Sequence, residues 1–244
     1  MRGLLAIEPL YHRIISGHKT QTRRSGGLEE VNVFGIEGDN IFDFSPNDWT
    51  LCDSDINVFE FFNQKEQKWA QCKPRYHVGE VLYLKEPYKC VAAPVYIEYA
   101  FDHPNLTYES GYISDFRGKG YENKLFMPAD FGREFIKVTG IKCERLLDIS
   151  EADCIAEGIE TAGNIVDGVY RPFGYIDYLM RPEAGSGYDF CDNDAKDSFI
   201  SLYKLANKMG KFGSHYPEMP RGKREVANIW VWVYEFVYLP GYKK

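Results

Sequence analysis

NIWVWVYEFVYL, residues 228–239, carries the strongest strand signal in the chain, and the fold is read outward from it. Trp230, Trp232, Tyr234, Phe236 and Tyr238 take one face. Ile229, Val231, Val233, Glu235, Val237 and Leu239 take the other. Both faces are largely apolar, so the spacing predicts a central strand covered on both sides. An aromatic row of this kind can stack bases, at roughly 1–3 kcal/mol per base. In a strand apolar on both faces, however, it is assigned to the core.

Shorter strands are predicted before it. LLAIE (3–7) is one, and the basic run after Gly17, His18–Arg24, is a second, its polar residues and two threonines suiting a half-exposed sheet. EVLYLKE (80–86) and PVYIEYAF (94–101) alternate as strands do, and Lys124–Met127 and Glu134–Leu146 are further candidates, the last broken at Gly140. Pro9 suits the first turn of a helix that carries Leu10, Ile14 and Ile15 on one face and stops at Gly17. Ser150 is an N-cap with Asp153 in the capping-box position, and Ile155, Ala156 and Ile159 supply that helix's apolar face. Asp194–Met209 is a third helix, with Phe199, Leu202, Tyr203 and Ala206 on one stripe. A polar loop follows, with five basic residues between Lys208 and Arg224. Turn signals crowd residues 25–75, which are expected to form a long insertion with a helical piece near Val58–Trp69. Residues 160–192, rich in Gly, Tyr and Asp, are expected to be a long loop. The sum is an α+β chain, a single domain over 1–244, built as a small mixed β-barrel with flanking helices.

Composition bounds the function. The 244 residues are 44% hydrophobic and 16% aromatic, ample for a core. The net charge of −7 is wrong for a protein that coats nucleic acid non-specifically, so any such contact needs a local basic patch. The six cysteines are scattered with no C-x-x-C pair, which argues against zinc and for reduced thiols. The N-terminal apolar run is broken by Glu8 and Pro9, and no stretch approaches a membrane span of about 18 apolar residues. The expectation is a cytoplasmic protein with no membrane, metal or redox cofactor.

Four places can carry chemistry. The Gly17–Arg24 segment puts Lys19, Arg23 and Arg24, with His18 when protonated, into an acidic chain. That cluster suits a phosphate or a polarised carbonyl, or simply the negative end of the preceding helix dipole. Lys85 and Glu86 end the 80–86 strand, either paired with each other or lining a cleft. Glu157 sits at the end of its short helix, at the wrong pole of the dipole, and so calls for a partner elsewhere. The aromatic strand is the fourth. P-loop, dinucleotide, nucleophile-elbow and zinc motifs are absent.

Taken in order, Gly17–Arg24, Val78–Glu86, Met127-Pro128, Val138–Ile159 and Trp230–Phe236 resemble the ASCH domains of the PUA-like superfamily, in particular a group common in phages and prophages. Tyr83 and Tyr88 stand where that group often has Trp. The resemblance implies a PUA-like barrel with a cleft beside Gly17 and a nucleoside or nucleic-acid ligand. A characterised bacterial ASCH protein hydrolyses N4-acetylcytidine to cytidine and acetate. Its Lys, Thr and Glu fall here on Lys19, Thr22 and Glu157. On that reading Thr22 is the nucleophile and Lys19 its base, provided its pKa falls well below about 10.4. Glu157 serves the leaving amine. Arg23, Arg24, Lys85 and Glu86 are the implied binding residues, and water is the co-substrate. The rivals are a non-catalytic module for RNA or modified DNA, and a phage accessory protein that binds a protein partner. One geometric condition is attached: Lys19 and Thr22 are an odd number of residues apart, so Lys19 must precede the strand or a bulge must intervene.

Overall fold

The computed structural model describes residues 1–32, 48–55, 58–92, 95–102, 120–178, 190–191, 194–206 and 228–243. In chain order the elements are β1 (Gly3–Leu5), α1 (Glu8–Ile15), β2 (Gln21–Arg24), β3 (Trp49–Asp55), β4 (Val58–Asn63), β5 (Lys68–Cys72), β6 (Val81–Lys85), β7 (Tyr88–Ala92), β8 (Val95–Tyr99), β9 (Phe135–Arg145), α2 (Glu151–Ala156), β10 (Thr161–Val166), β11 (Val169–Ile176), β12 (Phe190–Cys191), α3 (Ala195–Ala206) and β13 (Trp230–Tyr238). The protein is α+β, mostly strands with few helices, and none of the sheets among the described residues closes on itself. No described helix is long and apolar enough to cross a membrane. The described residues fall into two compact units, 1–20 with 78–139 and 236–244, and 21–77 with 140–235.

In the first unit β1 lies parallel to β6, and β6 pairs antiparallel with the start of β9. Leu4, Leu82, Leu84, Ile136 and Val138 are buried from these strands, with Tyr11 and Ile14 of α1. The helix ends as expected: Gly17 takes φ +77, and the N–H groups of His18 and Lys19 both bond the carbonyl of Arg13. β7 and β8 form a hairpin, and Tyr83, Tyr88, Met127 and Phe135 make a second apolar cluster. Lys124–Phe126 is a 3-10 turn, not the expected strand. The Asn123 side chain accepts from Leu125 N at 2.9 Å, and this local bond outweighs the alternation of apolar residues.

In the second unit β13 pairs antiparallel with β2, Trp232 opposite Arg24 and Tyr234 opposite Thr22. Trp230, Val231, Trp232, Val233 and Tyr234 are all buried, so the strand is covered on both faces as its sequence requires. Phe59 and Phe61 meet Trp232 and Trp230 edge-on at 4.7 and 5.2 Å. Those phenylalanines belong to β4, the middle of the antiparallel sheet β3–β4–β5. The helical piece expected near Val58–Trp69 is therefore two strands and a turn. Phe59, Phe61 and Asn63 face inward at period two, Phe62 lies opposite Trp69, and Asn63 Oδ1 accepts from the N–H of Lys65 and Glu66 in the turn.

Residues 161–176, expected as loop, form the β10–β11 hairpin. Asp167 and Gly168 take φ 54 and 76, the conformation of a tight two-residue hairpin turn. Gly163 sits at its bulge, where a Cβ would lie 2.4 Å from the carbonyl of Arg171. β9 runs unbroken through Gly140, against the expected interruption. α2 opens as expected, Ser150 Oγ accepting from Asp153 N at 3.1 Å, but it buries Cys154 while Ile155 is exposed. The 208–224 basic loop lies outside the described residues.

Candidate functional site

Seven residues carry the expected site, and five are buried: Lys19 (3% exposed), Thr22, Arg23 and Glu157 (each 4%) and Glu86 (0%). They are five of the nine buried polar or charged residues among those described. Lys19 belongs to the first unit and Thr22 and Glu157 to the second. Lys19 precedes β2, which starts at Gln21, so the condition attached to the odd spacing is met by Lys19 standing before the strand.

In the second unit the structure brings Arg23 and Glu157 together. Arg23 Nη1 donates to Glu157 Oε1 at 3.0 Å. β2 carries Arg23, while Glu157 is the C-cap of α2 and its N–H bonds the Asp153 carbonyl. The partner that the dipole argument demands for Glu157 is therefore Arg23. Around this pair stand Glu144 from β9, which accepts from Arg23 Nε at 3.0 Å, and Asp153, whose Oδ2 is 3.7 Å from Nη2. Gln21 Oε1 lies 3.4 Å from Nη1, and the Phe199 ring of α3 lies 5.7 Å from the guanidinium carbon. Burial works against the charge on Arg23, but Glu157 and Glu144 outweigh it and hold its pKa above the ordinary value. Asp153 is partly desolvated, yet bonds from Ser150 and Gln21, with Lys142 and Arg23 nearby, hold its carboxyl below the usual range. The Arg23 side chain, expected among the binding residues, is 1% exposed and meets protein carboxylates. Its neighbour Arg24 is half-buried at the end of β2.

In the first unit Lys85 and Glu86 follow one another but go to separate partners. Lys85 Nζ donates to the Leu125 carbonyl at 2.8 Å. Glu86 accepts from Arg133 Nε at 2.7 Å, from Arg133 Nη2 at 2.8 Å and from the Tyr11 hydroxyl at 2.8 Å. Arg133 also bonds Asp102 at 2.8 Å, and its guanidinium lies 4.1 Å from the centre of the Tyr99 ring. Burial raises the Glu86 carboxyl above its ordinary range, and Arg133 and the Tyr11 bond only partly offset that. Tyr11 is raised in turn, by burial first and by the Glu86 charge second.

Arg133, Tyr11, Glu144 and Asp153 complete these two clusters, and the residue-by-residue reading did not single them out as site residues. A signal for Arg133 exists: Glu86 closes a run of apolar alternation, so it must enter the core with a cation. Arg133 sits two residues ahead of β9, the strand that pairs with β6, which Glu86 directly follows. No His, Cys, Asp or Glu cluster fit to hold a metal occurs among the described residues. The sequence matches no family model, no curated protein and no solved structure is similar to it.

Proposed function

We propose that the chain is an ASCH-type, PUA-like cytoplasmic protein that takes a cytosine nucleoside and removes an N4-acyl group by hydrolysis. One observation carries the reading. Lys19, Thr22 and Glu157, the three residues that the resemblance names, are all buried. A lysine and a glutamate go inside a protein at a cost and need a reason to be there. In the proposed reaction the Thr22 hydroxyl attacks the acyl carbonyl while the Lys19 amine takes its proton. The tetrahedral intermediate expels the cytosine N4 amine, which takes the proton that Lys19 accepted from Thr22, while the Glu157 carboxylate orients that amine. Water then releases the acid from Thr22, so that N4-acetylcytidine and water give cytidine and acetate. A lysine serves as base only where water is held away from it, and Lys19 has that burial.

The test is turnover of N4-acetylcytidine by the purified protein, followed by the appearance of cytidine. Lys19→Ala and Thr22→Ala are each expected to abolish it, while Arg2→Ala, at an exposed ion pair with Glu80, leaves it unchanged. Full turnover by Lys19→Ala refutes the mechanism. Salt-sensitive retention of an oligonucleotide with no turnover replaces the hydrolase by a binding module.

A further inference from the structure

Arg23 spends its guanidinium on the second unit. Nε and Nη2 donate to Glu144, Nη1 donates to Glu157 and, at 3.4 Å, to Gln21, and Asp153 Oδ2 lies 3.7 Å from Nη2. The guanidinium is planar and rigid, so fixing its Nε edge fixes where Nη1 points. Glu144 grips the Nε–Nη2 edge, and Lys142 Nζ, 3.2 Å from Glu144 Oε2, neutralises that carboxylate on its outer side. Ser150 Oγ donates to Asp153 Oδ2 at 2.8 Å, tying the start of α2 to the same cluster. The end of the guanidinium left to act is Nη1, 3.0 Å from Glu157 Oε1. The Phe199 ring lies 5.7 Å from the guanidinium carbon, and the Arg23 side chain is 1% exposed.

We infer that Arg23 is a positioning residue: clamped by Glu144, it sets the orientation of the Glu157 carboxylate at the end of α2 and touches no ligand itself. As a role in catalysis this rests on the hydrolase reading above; as a mechanical coupling it does not. A lysine cannot replace the arginine, because one ammonium cannot span Glu144 and Glu157 with fixed direction.

The experiment has two arms. In the first, steady-state hydrolysis of N4-acetylcytidine is measured for Arg23→Lys and Glu144→Gln. Misplacing a reacting group by about 1 Å costs on the order of 100-fold. Arg23→Lys is therefore expected to lower kcat about 100-fold with KM within about twofold, and Glu144→Gln to lower kcat about tenfold. Millimolar guanidinium is expected to restore part of the kcat of Arg23→Ala. A wild-type kcat in Arg23→Lys, or a loss confined to KM, overturns the inference. In the second arm, urea unfolding is measured for Arg23→Met, Glu157→Gln and the double variant, with Arg23→Lys as substitute if Arg23→Met does not fold. The double variant's unfolding constant is expected to differ at least about tenfold from the product of the single effects. Additive effects overturn the coupling. A wild-type protein with no turnover removes the hydrolase reading alone, and the second arm still decides whether Arg23 holds Glu157.

Discussion

Arg133→Ala should destabilise the first unit strongly, and by an amount that depends on pH. Arg133 is the cation that neutralises Glu86, a fully buried carboxylate, through two bonds at 2.7 and 2.8 Å. Deleting it leaves Glu86 with the Tyr11 hydroxyl. Breaking a buried pair by removing one partner costs roughly 3–5 kcal/mol. Arg133 keeps some contact with solvent, so the lower end, about 3 kcal/mol, applies; at about 2–4 °C per kcal/mol for a chain of this length the midpoint falls about 6–12 °C. The sign with pH follows from the direction of the Glu86 shift. Its carboxyl is raised in the folded state, chiefly by burial, so the folded protein holds that proton to higher pH than the unfolded chain does. The corresponding stability is complete below the unfolded value of about 4.3 and is lost as pH rises through the folded one. Arg133 opposes that loss. Without it the penalty above the folded value grows, and below that value the variant recovers about 1.4 kcal/mol per pH unit. The assay is urea unfolding at pH 5 and pH 8, followed by far-UV circular dichroism. All four tryptophans lie in the second unit, which makes indole fluorescence blind to the first. Glu86→Gln, which has no charge to bury, should be milder at pH 8 and flatter with pH. A cost below about 1 kcal/mol for Arg133→Ala, or an equal cost at the two pH values, refutes the reasoning.

Thiol reactivity should divide the cysteines by burial. Desolvation pushes Cys72 up to about 11 and Cys154 to about 12, and raises Cys143 further, whereas Cys52 and Cys90 are exposed. Iodoacetamide at pH 8 should label Cys52 and Cys90 in the native protein and spare Cys72, Cys143 and Cys154, as located by peptide mass spectrometry. Labelling of Cys154 at the rate of Cys52 contradicts the burial. Gly163→Ala should loosen the β10–β11 hairpin, because the added Cβ meets the Arg171 backbone carbonyl at 2.4 Å. Faster amide exchange is expected across Thr161–Val166, and unchanged protection there shows that the bulge relaxes freely.

How much of this was legible in the sequence depends on what each signal competes with. The β13 strand could be read from residues 228–239 alone, because ten of the twelve are apolar or aromatic and no turn residue interrupts them. α1 and α2 could be read from their punctuation, Pro9 and Gly17 in one, Ser150 and Asp153 in the other. The 161–176 hairpin was hidden by composition, since Gly, Tyr and Asp also mark loops. Asp167-Gly168 between Ile165-Val166 and Val169-Tyr170 is the specific signal, and it outranks the bulk one. β4 was hidden because Phe59, Phe61 and Phe62 satisfy a helical stripe and a strand face equally over so short a run. Length decides such cases, and Asn63, which organises the following turn, sets that length.

The buried ion pairs of the candidate site were legible for a different reason. Polar side chains inside apolar or sheet-forming runs have to be satisfied by something distant, and such a demand is visible before its answer is. Glu157 at a helix C-terminus and Glu86 at the end of an apolar strand both announce a missing cation. The cations that answer are Arg23, 134 residues away, and Arg133, 47 residues away. Sequence separation of that size is closed by strand pairing, and the pairing rests on β9 and β13, whose partners periodicity cannot name. The same limit applies to the surroundings of Arg23. As a cation in a basic run it suits a phosphate; that Glu144, Asp153 and Glu157 stand around it is visible only in the folded chain.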